Sequence, residues 1–107
     1  MKHIELFKNN RNKPHQFDYV VCNELGFTSN NIGQIIFSNV FDRNNNYDID
    51  YFIGYYVEYK NVPENIQHYF ENFYGALCLV ANEDEIIFWS KNKEDVEGYL
   101  DAKKYNL

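Results

Sequence analysis

Residues 47–60, YDIDYFIGYYVEYK, decide the fold. Every odd position is apolar or aromatic: Tyr47, Ile49, Tyr51, Ile53, Tyr55, Val57 and Tyr59. Side chains alternate across a strand, so a period of two sustained this long predicts β-structure with one buried face. The even positions are mixed: Asp48 and Asp50 first, then Phe52, Gly54 and Tyr56, then Glu58 and Lys60. That second face, with carboxylates beside aromatics, is the best functional lead in the chain. Fourteen residues is long for a strand in a small domain, and Gly54 suggests a bulge or bend within it.

Working outward, residues 33–41 read as a strand, and Asp42-Arg43-Asn44-Asn45-Asn46 as the turn that returns the chain into residues 47–60. Residues 16–25 fit either period: Phe17, Tyr19 and Val21 alternate, while Phe17, Val20, Val21 and Leu25 fit a helix. Strand-favouring Val, Tyr, Phe and Cys tilt that segment toward a strand. Residues 3–7 suit a strand or a helical turn, and residues 8–15 a polar, basic loop. Downstream, Pro63 suits the first position of a helix. Ile66, Tyr69, Phe70, Phe73 and Tyr74 then fall on one helical face, with Gly75 as its stop. Residues 76–81 and 85–90 read as paired strands joined by a turn at Asn82-Glu83-Asp84. Asn92 opens a last helix with Val96, Tyr99 and Leu100 on its inner stripe. The expected architecture is one α+β domain spanning residues 1–107: an antiparallel sheet of about five strands with two helices packed on one side.

Composition bounds function. Aromatics are 19% of the 107 residues, with ten Tyr and nine Phe, more than a core of this size hides. Some must sit on the surface, where Tyr is at home. Net charge is −6 and unevenly spread. Lys2, Lys8, Arg11 and Lys13 face only Glu5 in the first thirteen residues, whereas thirteen acids face four cations from Asp42 to Asp101. An acidic body disfavours direct binding to nucleic acid or to an anionic membrane and suits a basic protein partner. No apolar run is long enough to span a membrane and no signal peptide is visible, so a cytoplasmic location is expected. Richness in Asn, Ile, Lys, Tyr and Phe, which AT-rich codons encode, fits a bacterial or phage source.

Chemistry-bearing motifs fail on inspection. Asp42, Asn44, Asn46, Asp48 and Asp50 follow the oxygen spacing of a calcium loop, but Tyr47 stands where glycine is needed and Ile53 where a bidentate Glu is needed. His3, His15 and His68 are scattered. Cys22 and Cys78 lie in apolar runs and read as buried free thiols. Residues 24–36 loosely follow a helix-turn-helix, but no Lys or Arg lies between Thr28 and Asp42 to meet phosphate. The expectation is a non-enzyme without metal or cofactor. Carboxylates interleaved with aromatics make a surface for a basic protein. The candidate partner-binding residues are Asp48, Asp50, Phe52, Tyr56 and Glu58, with Glu83, Asp84 and Glu85 in the last turn.

In small size, acidity, Tyr-rich strands and lack of a catalytic motif, the chain resembles the immunity proteins of bacterial toxin–immunity systems, those of contact-dependent growth inhibition in particular. The resemblance implies a protein that binds a cognate toxin, often a nuclease, and occludes its active site, and it transfers no residue. Competing readings are a phage-type inhibitor mimicking nucleic-acid charge, a small enzyme, and a regulatory or ligand-binding α+β domain using its aromatic face as a pocket.

Overall fold

A computed structural model describes residues 13–44 and 49–105, without the side chains of residues 42–44, 49 and 50. Residues 3–7, most of the basic arm 8–15 and residues 45–48, Asp48 among them, lie outside the described residues. Of the turn expected at 42–46, residues 42–44 are instead strand, their backbone paired with residues 49–51, which gives them a ladder of hydrogen bonds.

The described residues form six strands: β1 (Tyr19–Cys22), β2 (Gly33–Asn44), β3 (Ile49–Glu58), β4 (Glu71–Phe73), β5 (Ala76–Asn82) and β6 (Ile86–Ser90). All neighbours are antiparallel, in the order β4-β5-β3-β2-β1-β6. The α+β reading holds, with six strands where about five are expected. The 47–60 alternation is realised in the second half of β3 and just past it: Tyr55, Val57 and Tyr59 are buried, while Tyr56 and Glu58 face the other way. Tyr51, expected on the buried face, is 62% exposed, because there the β2–β3 hairpin extends past β5. The 16–25 ambiguity resolves as a strand, limited to Tyr19–Cys22, with no helix within the segment. β1 is succeeded by one short helix, α1 (Gly26–Asn30), whose buried Thr28 hydroxyl donates to the Leu25 carbonyl (2.9 Å) and accepts from the Leu25 amide (3.0 Å). The stretch that would have been a recognition helix is β2.

Two expectations are corrected. Residues 63–74 are not one helix. A 3-10 helix spans Glu64–Tyr69, after which the chain extends into β4 and pairs with β5. An isolated helix of that length is marginal, whereas the β5 edge gives residues 71–73 a ladder. Tyr74 (φ 52°) and Gly75 (φ 87°) make the two-residue turn between β4 and β5. Positive φ at both central positions is the hairpin requirement, so Gly75 ends a hairpin rather than a helix. Nor do residues 76–81 and 85–90 pair. One turn of 3-10 helix (Glu83–Glu85) is clamped by a reciprocal box: the Glu85 amide donates to Asn82 Oδ1 (3.2 Å) and the Asn82 amide to Glu85 Oε1 (3.0 Å). It carries the chain to the far edge, where β6 joins β1.

That crossing requires the sheet to roll. Four strand spacings separate β5 from β6, about 19 Å if flat. Four Cα steps from Asn82 to Ile86 reach at most about 15 Å, and less through a 3-10 turn. Bulges between Ile35 and Phe37 and between Val21 and Cys22 add curl. The concave side holds the main core: Val20, Cys22, Ile35, Tyr55, Val57, Ala81, Ile86 and Trp89 pack together. Val62, Ile66 and Phe70, around the 3-10 helix, and Phe27 of α1 pack against this side. Gly33 is required here, since a Cβ would overlap Val57 Cγ1 and the Tyr59 ring.

The C-terminal helix, α2 (Lys93–Lys104), covers part of the convex side. Val96, Tyr99 and Leu100 form its inner stripe, as the spacing predicts, against Val21 and Phe88. Tyr99 stacks on Phe88 at 4.6 Å and 4°. Ser90 rather than the Asn92 side chain secures its start: the Ser90 hydroxyl donates to Asp95 Oδ2 (2.7 Å) and accepts from the Asn92 amide (3.0 Å). The helical segments, expected on one side, thus divide between the two faces.

Candidate functional site

α2 covers the β1–β6 end of the convex face. Over β2, β3, β5 and β4 that face carries a cluster of aromatic rings. Alternation along β3 places Phe52, Tyr56 and Glu58 there. Phe37 joins from β2 opposite Tyr56, and Phe73 from β4. Phe37 lies 5.6 Å from Tyr56 and 5.8 Å from Phe73, and Tyr56 lies 5.0 Å from Phe73 between ring centroids. Farther along, Phe41 stacks on Phe52 at 5.4 Å. Gly54 pairs with Asn39 and Asn82 without a register shift, so it is no bulge. Its missing side chain makes room for Phe41, whose ring a Cβ would overlap. Phe37 is 40% exposed and Tyr74, next to Phe73, is 95% exposed.

Carboxylates border these rings. Register places Glu58, Cys78 and Glu71 opposite one another across β3, β5 and β4, hence on the same face. The Cys78 thiol is pushed up to about 11, first by burial, then by Glu58 and Glu71. Lys60 Nζ sits 3.1 Å from Glu58 Oε2 in an exposed pair, of the kind worth little to stability.

The eight residues proposed from sequence therefore separate. Phe52, Tyr56 and Glu58 share the aromatic face. The backbone of Asp50 pairs with Arg43 in the projecting part of the β2–β3 hairpin. Glu83, Asp84 and Glu85 lie in the crossing turn, where Glu83 meets Lys13 at 3.8 Å and Glu85 caps Asn82. Missed were Phe37, Glu71 and Phe73. Counting by twos from buried Ile35 turns Phe37 inward, and only the bulge turns it out. Tyr74-Gly75, a two-residue turn, was the signal for β4.

A second group of titratable side chains lies near the crossing turn. The Cys22 thiol is pushed up to about 12, chiefly by burial, and adjoins the Tyr59 hydroxyl, which burial also drives upward. Neither cysteine is an activated nucleophile, because burial disfavours both thiolates. The half-buried Glu24 carboxyl is pushed up to about 7 by burial and then by Glu85. Its folded value lies above its unfolded one, so the folded state holds the proton more tightly. Stability should fall as pH rises from about 4.5 to 7 and level off above that, all else equal. Thermal melts at pH 5.5 and 8 should show the drop, and Glu24→Gln should flatten it.

Among the described residues, no group of three or more His, Cys, Asp or Glu is placed to hold a metal ion, and no helix is long and apolar enough to cross a membrane. A groove of about 570 Å³ runs between α1 and α2, past Asn30, Ile32, Leu100 and Lys103. A smaller one of about 210 Å³ adjoins Glu58, Lys60 and Lys93. Neither is lined by the aromatic cluster. Comparison with protein-family models, curated proteins and solved structures gives no match.

Proposed function

We propose that this protein is a binding protein that neutralises a basic partner, as an immunity or inhibitor protein does, by covering the partner's active surface. The observation that carries this reading is the aromatic convex face of an acidic chain: Phe37, Tyr56 and Phe73 in mutual contact, bordered by Glu58 and Glu71. Aromatic side chains anchor protein interfaces, and a charged border steers an oppositely charged partner and fixes its register. A nuclease is a fitting target, because its phosphate-binding Lys and Arg would meet these carboxylates. In this reading the protein acts in the cytoplasm of the cell it protects.

Native mass spectra of the protein purified from its own cells, at low and high salt, provide the test. The expected result is a one-to-one complex with a basic protein that weakens as salt screens the charges. The partner, prepared separately, should lose its activity when one equivalent of this protein is added. A partner that stays fully active in the complex, or a complex indifferent to salt, would overturn the reading.

A further inference from the structure

The row Glu58–Cys78–Glu71 and the rings beside it have a specific chemistry. Glu58 and Glu71 rise from the same face on either side of Cys78, two strand spacings or about 10 Å apart. Both act on the Cys78 thiol. Phe73 and Tyr56, 5.0 Å apart and tilted by 39°, lie on that same face. One carboxylate already holds a cation, since Lys60 Nζ lies 3.1 Å from Glu58 Oε2. That lysine is 79% exposed and so easily displaced. Among the described residues no ion pair engages Glu71.

A planar cation suits this arrangement better than a spherical one. A guanidinium stacks on an aromatic ring and forks its hydrogen bonds to carboxylates, whereas an ammonium is a strongly hydrated point charge. We infer that the face formed by Tyr56, Phe73, Glu58 and Glu71 takes an arginine side chain of a basic protein partner, the ring stacking on the guanidinium and the carboxylates bonding its edges. This rests on the proposed function, and it specifies where and by which side chain the partner is held.

The probes are hexaarginine amide and hexalysine amide, equal in side-chain charge, titrated into the ¹⁵N-labelled protein and followed by amide shifts. Hexaarginine should bind at least about threefold more tightly, the scale of an exposed cation–π contact. Its shifts should centre on Tyr56, Glu58, Glu71, Phe73 and Cys78. Glu58→Gln with Glu71→Gln should weaken it by about tenfold and bring the two peptides closer in affinity. Glu71 is exposed and Glu58 half-buried, and glutamine keeps the shape of each side chain, so the doubly substituted protein should keep its dispersed spectrum. Equal or tighter binding of hexalysine, shifts centred on residues 83–85 or 94–97, or no binding would overturn the inference. The proposed function fails separately, if the native complex is indifferent to salt or leaves its partner active.

Discussion

Replacing Ile35 with alanine should destabilise the protein by about 2–5 kcal/mol, the range for truncating a large buried aliphatic side chain. Ile35 is fully buried and lies opposite Val57 in the centre of the rolled sheet. Its amide donates to the Asp18 carbonyl (2.9 Å) and its carbonyl accepts from the Phe17 amide (2.7 Å), so its backbone is held on both sides of the side chain. Partial collapse around the cavity is therefore hard. Domains of this size have about 5–15 kcal/mol in total, and each kcal/mol is worth about 4–8 °C near this length. A fall in melting temperature of about 10 °C or more is expected. Urea unfolding should show a lower midpoint with an unchanged slope, since the exposed surface is nearly the same. Val40→Ala in the same strand, at a position 62% exposed, should stay within about 0.5 kcal/mol. Comparable losses at the two positions would mean that the concave side of the sheet is not the core.

Substituting Tyr56 and Phe73 together with alanine should weaken partner binding by about 100-fold or more. Central aromatic anchors cost about 2 kcal/mol or more each when truncated, while two contacting rings are not additive. Both are half-buried against each other and Phe37 rather than in the core, so most of the loss should fall on binding rather than folding. Calorimetric titration of the isolated partner, with circular dichroism as the folding check, measures it. Glu83→Gln with Asp84→Asn should change affinity by only about two- or threefold, as expected for charges away from the contact. The reverse ranking would return the binding site to the crossing turn.

What the sequence discloses about this site follows from how far each signal reaches along the chain. Tyr56, Phe52 and Glu58 are legible because they belong to one strand, where a period of two needs no knowledge of neighbours. Phe37 is not, because one extra residue at Ile36 inverts the parity between Ile35 and Phe37. Glu71 and Phe73 are hidden for another reason. Ile66 and Phe70 do face the core, so the helical spacing is half true, but Phe73 belongs to an edge strand that exists only because β5 offers it hydrogen bonds. The β5–β6 connection shows the same limit. Asn82-Glu83-Asp84 has the composition of a hairpin turn, yet Asn82 and Glu85 form a capping box that starts a helical turn instead. Asn-x-x-Glu was visible in the chain; that the sheet rolls far enough to bring β6 beside β1 was not.

Hydrogen–deuterium exchange of the purified complex, compared with the free protein, tests the central claim most directly. Covering of the aromatic face predicts slower exchange in residues 54–58 and 71–80, with residues 83–85 and 93–104 unchanged. Slowing confined to the crossing turn or to α2, with β3 to β5 exchanging as in the free protein, would contradict it.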